Sequence, residues 1–291
     1  MNLSSARSSA KLAGALLVLA AVPAMAAGPY VLGGLVGAIS GDPNYGWDGA
    51  YETGFRAALQ NPANFGPAGT FPTAVTTTNI TSTANLNGIK GLVVPWWYNS
   101  NASTTQVNQV KAFFMSGGDL LLGEDDSVND PVGIALGIPA LDSAGGSWTP
   151  QNGLVSGPFG PPGTVTAYSD IAYFSATAVS SAGGTVGATD SSGNVTVAYW
   201  PRGTFCSTCG ALIIAGDIDF FSYGASYTPL NADGQFALNL IAYLINNSGN
   251  FTGTVGSTPP PTPAPASLWL ALMGLTAAGL YVGYRTRRVE S

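Results

Sequence analysis

Histidine is absent from all 291 residues, and cysteine occurs only twice. A zinc site would need two more Cys or His ligands than the chain has to offer. Charge is scarce as well, at 8% of residues. Between Gly28 and Pro265 the only bases are Arg56, Lys90, Lys111 and Arg202, set against fourteen acids, a net charge of −10. Nucleic-acid binding requires a basic patch, and no such patch can be assembled from these residues. Cations are the more natural small partners of such a surface.

Glycine and proline are plentiful instead, with 39 and 20 copies. Arg7 and Lys11 precede an apolar run from Leu12 to Val22, followed by Ala24-Met25-Ala26. This is the layout of a secretory signal peptide, residues 1–26, cut after Ala26. The run is short for a membrane span, which is the alternative. Near the other end, residues 249–265 are rich in Ser, Thr and Pro and read as a stiff, extended linker. Ala266 to Tyr284 is then free of charge and close to the length that crosses a bilayer. Arg285, Arg287 and Arg288 follow at once and place that end in the cytoplasm. What remains, residues 28–248, is long enough for one α/β domain with its own core.

The stretch from Lys90 to Asp126 organises that domain. Leu92-Val93-Val94 is a short apolar run of the kind buried on both faces of a sheet. Ser103 and Gln106 form a capping box for a helix carrying Val107, Val110 and Phe114 on one face. Gly117-Gly118 stops it. Leu120-Leu121-Leu122 then opens into Gly123-Glu124-Asp125-Asp126. Strand, helix, strand implies a right-handed parallel crossover, and ligands of such sheets bind beyond the carboxyl ends of the strands.

Around this unit the reading predicts strands at 31–39, 74–80, 91–95, 119–123 and 211–215. It predicts helices from an Asp48 cap to about Gln60, from Asp130-Pro131 to Gly137, and from an Asn231 cap onward, with Phe236, Leu240, Ile241 and Leu244 inward. Residues 141–202, rich in Gly, Pro, Ser and Thr, read as a β-rich extension of the sheet with strands at 165–168, 185–188 and 195–200. The expected fold is α/β: a mainly parallel central sheet with helices on both faces, plus a C-terminal transmembrane helix.

Two resemblances follow from these motifs. Pro263-Ala264-Pro265-Ala266-Ser267, an apolar helix and the cluster Arg285, Arg287 and Arg288 resemble the PEP-CTERM sorting signal of Gram-negative bacteria, with Ala264 where that family usually has Glu. The resemblance implies an exosortase-type sorting protease as partner and transient anchoring in the membrane. It also implies export to the cell surface or extracellular polysaccharide. An ordinary C-terminal anchor is the alternative.

The strings Gly91-Leu-Val-Val-Pro95, Ser116-Gly-Gly-Asp119, Leu120-Leu-Leu-Gly123 and Ile213-Ile-Ala-Gly-Asp217 resemble the class I glutamine-amidotransferase-like superfamily. Its non-amidotransferase branches, such as the trehalose-utilisation-type domains, are the nearer likeness. That implies a flavodoxin-like sheet. The amidotransferases place a nucleophilic Cys at the elbow matching Gly123-Glu124-Asp125-Asp126 and pair it with a His. Neither is present here, so that activity does not carry over.

Three sets of residues remain as candidates. Glu124, Asp125, Asp126 and Asp130 follow one predicted strand, and Asp217 and Asp219 another. If the two ends meet, these carboxylates would suit Ca²⁺ or Mg²⁺, or supply a glycosidase-like acid–base pair. Otherwise they cap helices and close turns, and no cofactor is implied. Cys206 and Cys209 read as a local disulfide in an exported chain. Trp96 and Trp97 are adjacent, so the two cannot be buried alike. One of them at a strand's carboxyl end suggests a surface for extracellular polysaccharide, with core packing as the alternative. The expected function is that of an exported, non-catalytic binding or matrix module. The alternative is a carboxylate- or metal-dependent hydrolase of extracellular glycans.

Overall fold

The structure, a computed structural model, describes residues 28–251 apart from 126, 128, 129, 169, 223 and 250. The signal peptide, the sorting segment with Pro263, Pro265 and its Arg cluster, and Asp126 lie outside the described residues, as does nearly all of the linker. No helix among the described residues is long and apolar enough to cross a membrane.

Five parallel strands form one half of a single large sheet: β1 (Tyr30–Leu35), β2 (Val75–Ile80), β3 (Gly91–Val94), β4 (Asp119–Gly123) and β11 (Leu212–Ala215). They stand in the order β2-β1-β3-β4-β11. That is the strand order of a doubly wound sheet, whose switch point lies between β1 and β3. The other half is antiparallel and continues from β11 through β10 (Val195–Trp200), β9 (Thr185–Asp190), β6 (Ser147–Pro150) and β7 (Val165–Thr166). β5 (Ala140–Asp142) pairs with β8 (Ala172–Phe174), which touches β10.

The sheet is therefore mixed, not mainly parallel. The 141–202 stretch does extend it, with more strands than its weak apolar runs advertise. β5, β6 and β8 are three or four residues long, too short to show a period of two.

Helices cover both faces. On one, α2 (Thr53–Gln60) and α6 (Ala232–Asn247) bury Phe55, Leu59, Phe236, Leu240 and Ile241 against Val93, Leu121 and Ile213. On the other, α3 (Thr104–Met115), α4 (Pro131–Leu136) and α5 (Ala176–Ser181) bury Val110, Phe114, Val132 and Val179 against Leu92, Leu120, Leu122 and Ile214. Alternate residues of β3, β4 and β11 thus face opposite cores, which is why these strands read as unbroken apolar runs.

The caps explain several of the boundaries. Ser103 Oγ accepts from the Gln106 amide at 3.3 Å and Gln106 Oε1 accepts from the Ser103 amide at 3.0 Å, completing the box that opens α3. Asn231 caps α6 through Gly234 at 2.8 Å. The N-terminal region departs from expectation. β1 ends at Leu35, and Gly37–Ser40 forms the short helix α1 instead of prolonging the strand. Asp48 does not cap α2. Its carboxylate accepts from the Gly37 amide at 2.7 Å, and α2 begins after Glu52.

Candidate functional site

The carboxyl ends of the five parallel strands form one edge, and the candidate residues gather along it. The Trp47 amide donates to the Leu35 carbonyl at 2.8 Å, folding the loop after α1 back over the end of β1. The Trp47 ring covers Gly34 so closely that a Cβ there would lie 2.0 Å from it. Asp42 then closes an Asx turn, accepting from the amides of Asn44 at 2.7 Å and Tyr45 at 3.0 Å. Across the switch point, the Tyr98 amide donates to Ser40 at 2.9 Å and its hydroxyl to Asp42 Oδ2 at 3.4 Å. The loops after β1 and β3 are thereby tied together.

This tie lines up four rings. Tyr51 and Tyr45 meet edge to face at 4.9 Å, Tyr45 and Trp96 at 5.5 Å, and Trp96 and Tyr98 are tilted at 4.8 Å. Tyr51 is 40% exposed, and the other three are partly buried. Among the described residues the Trp96 indole N–H has no hydrogen-bond partner. The adjacent tryptophans do differ: Trp97 is buried in the core on the α3 side, whereas Trp96 stands in the row. Trp97 is therefore a packing residue. Tyr98 adjoins Trp96 and Trp97 in the sequence, but the sequence reading missed Tyr45 and Tyr51, because only the folded loops bring Tyr45 to Trp96 and Tyr51 to Tyr45.

The acids of β4 and β11 are neighbours, since the Glu124 amide donates to the Ala215 carbonyl at 2.8 Å. Their side chains, however, are turned inward. Glu124 and Asp125 are buried, and Glu124 shares a carboxyl–carboxyl hydrogen bond with Asp130. Burial raises Asp130 to about 6; it caps α4 by accepting from the Gly133 amide at 2.8 Å and also accepts from the Ala140 amide of β5 at 2.6 Å. Asp217 accepts from the amides of Tyr168 at 2.8 Å and Asp219 at 2.6 Å. Burial and the neighbouring Asp219 push its pKa up to about 8. Asp219 is buried and accepts from Ser222 Oγ at 3.4 Å. Among the described residues no group of three or more His, Cys, Asp or Glu side chains is placed to hold a metal ion.

Glu52 is the residue the sequence reading overlooked. It is fully buried, and neither carboxylate oxygen has a hydrogen-bond partner among the described residues. Burial drives its pKa well up; Arg56 opposes that rise and Asp219 adds to it. Its spacing to Phe55 and Leu59, three and seven residues on, was the signal that it shares their inward face.

Away from the edge, Cys206 and Cys209 are joined as a disulfide within the loop between β10 and β11. Arg202 in the same loop pairs with buried Asp119 at 3.3 Å.

The sequence matches no protein-family profile and no curated protein. Among solved structures it is similar to the mmIFT52 N-terminal domain, at 14% identity over 76% of this chain and 99% of that one, with a TM-score of 0.47. It is similar to the exo-β-1,4-mannosidase Op5Man5 from Opitutaceae bacterium strain TAV5, at 13% identity over 75% of this chain and a TM-score of 0.47. The chain spans 36% of the mannosidase. A ThuA-like protein from Bacteroides uniformis is 12% identical over 74% of this chain and 90% of its own, with a TM-score of 0.41. At these values the likenesses assign neither a family nor an activity.

Proposed function

We propose that the chain is an exported, surface- or exopolysaccharide-associated protein whose flavodoxin-like, amidotransferase-like domain is a non-catalytic binding module for extracellular glycan. The observation that carries this reading is the row Tyr51–Tyr45–Trp96–Tyr98 at the switch point between β1 and β3. Aromatic faces stack on the apolar faces of sugar rings, and the switch point is where doubly wound sheets take their ligands. The elbow after β4 supports the non-catalytic half of the reading. It presents Gly123-Glu124-Asp125 in place of a Cys, and its carboxylates are buried.

In this reading the protein crosses the inner membrane of a Gram-negative bacterium by its signal peptide. It is held there by the 266–288 segment and handed to an exosortase-type protease for release to the surface. It needs no resident cofactor. A hydrolase would draw on Asp217 and Asp219, but both are buried and hydrogen-bonded within the protein.

The test is binding of the full chain to neutral extracellular polysaccharide, compared with Trp96→Ala. Loss of one stacked ring, worth about 1.4 kcal/mol, should weaken binding about tenfold. Equal binding by both proteins would remove the row from the account.

A further inference from the structure

A cavity of about 400 Å³ lies between α2 and the 225–228 segment that precedes α6. Its volume is in the range of small-molecule sites. Gly54, Ala57, Asn61, Asn64, Tyr227 and Thr228 are among the residues that line it, and none of its lining residues is charged. In a domain of net charge −10 this is a locally neutral patch.

The hydrogen-bonding groups are set up in complementary fashion. Asn61 Oδ1 accepts from the Ala63 amide at 3.0 Å, which fixes that side chain and leaves its Nδ2 donors over. Asn64 Nδ2 donates to the Ala58 carbonyl at 2.9 Å, which leaves its Oδ1 as an acceptor. The Tyr227 ring is held rigidly: it stacks on Phe55 at 5.9 Å and 23°, and its hydroxyl donates to the Phe221 carbonyl at 2.8 Å. That ring lies over Gly54, where a Cβ would come within 3.3 Å of it. An anchored donor, an anchored acceptor and a fixed aromatic ring, with no charge, are the groups that recognise the hydroxyls and apolar face of a neutral sugar. Tyr51 precedes Gly54 by three residues, so the backbone at the end of the aromatic row lies within about 11 Å of that of the lining residue Gly54.

We propose that this cavity is a subsite for one neutral sugar residue of the glycan whose chain continues along Tyr51, Tyr45 and Trp96. The proposal rests on the glycan-binding reading above and adds a second, separable site with a stated preference against acidic sugars.

The experiment is isothermal titration of the full chain with cellotetraose, maltotetraose and mannotetraose, and with tetragalacturonate as the acidic counterpart. Ala57→Phe fills the cavity and Asn61→Ala removes its donor. Both positions are exposed, and thermal melts report whether each variant keeps its fold. At least one neutral tetrasaccharide should bind, both variants should weaken it about tenfold, and tetragalacturonate should not bind. If Ala57→Phe fails to fold, the Asn61→Ala isotherm decides. Binding that Trp96→Ala weakens while Ala57→Phe and Asn61→Ala leave it unchanged would overturn the subsite and keep the row. Binding of none of the four would overturn both. Preference for tetragalacturonate would overturn the neutral-sugar assignment.

Discussion

The Glu124 amide donates to the Ala215 carbonyl at 2.8 Å, setting the acidic end of β4 beside the acidic end of β11. Adjacent strand ends do not make adjacent side chains. Glu124 turns to Asp130, while Asp217 turns to the amides of Tyr168 and Asp219. The carboxylates thus hold loops in place on one edge, and the aromatic row lies on the same edge, with Tyr51 exposed and Tyr45, Trp96 and Tyr98 partly buried.

Their titration gives the first prediction. Burial holds Asp217 up at about 8 and Asp119 and Asp130 at about 6. Each is raised above its unfolded value, so the folded state binds more protons. The stabilisation is complete below about pH 4 and is lost as pH rises through the folded values. The melting temperature should therefore rise as pH falls from 8 to 5. The steepest slope should approach about 1.4 kcal/mol per pH unit for each group titrating. Asp190, whose pKa is lowered by hydrogen bonds from Gly145, Asn194 and Ser192, acts in the opposite sense only below about pH 4. Asp217→Asn should flatten the profile between pH 6 and 8. A melting temperature that climbs from pH 5 to 8 would refute the sign.

Glu52 gives a second. Its buried oxygens make no hydrogen bond among the described residues, and burial, with Asp219, outweighs the Arg56 charge that favours its ionisation. Replacing such a group by an apolar one of similar size is neutral or stabilising. Glu52→Met should raise the unfolding free energy by about 1–3 kcal/mol in urea titrations at pH 7. A loss exceeding 1 kcal/mol would mean that the carboxyl has a partner in solution.

A third concerns Arg202, which joins buried Asp119 to the carbonyls of Gly117 and Asn247. Arg202→Met leaves that carboxylate buried without its cation, costing about 3–5 kcal/mol at pH 7. Asp119 titrates near 6, so the cost should shrink at pH 5, where it is largely neutral. A loss of the same size at both pH values would contradict the ion pair as the cause.

The Cys206–Cys209 disulfide closes a loop of only four residues. Chain entropy then favours a contribution of about 2 kcal/mol, at the low end for a disulfide. Denatured, non-reduced protein should take up no thiol label, and reduction should lower stability by about that amount. Two labelled thiols per chain would show the bond to be absent.

The parallel half of the fold was legible because its signals are local. Ser103 and Gln106, Asp130 with Pro131, and Asn231 each cap a helix within four residues of sequence. Apolar runs such as Leu120-Leu121-Leu122 mark strands covered on both faces. The antiparallel half was harder, because β6 pairs with β9 some forty residues away through strands of only four and six residues. The end of β1 misled because Val36 and Ile39 look strand-like. What stops the strand is the bond between Asp48 and the Gly37 amide, eleven residues apart. At the site, the acids and Trp96 were legible as residue types at strand ends. The row was not, since Tyr45 reaches Trp96, and Tyr51 reaches Tyr45, only once the β1 loop has folded back.

The most direct test of the account incubates the full chain with neutral extracellular polysaccharide and measures, in one sample, the fraction bound and the reducing ends released. Saturable binding that Trp96→Ala weakens, with no reducing ends above the polysaccharide alone, is the predicted result. Steady release of reducing ends that Asp217→Asn abolishes would contradict it and make the protein a hydrolase.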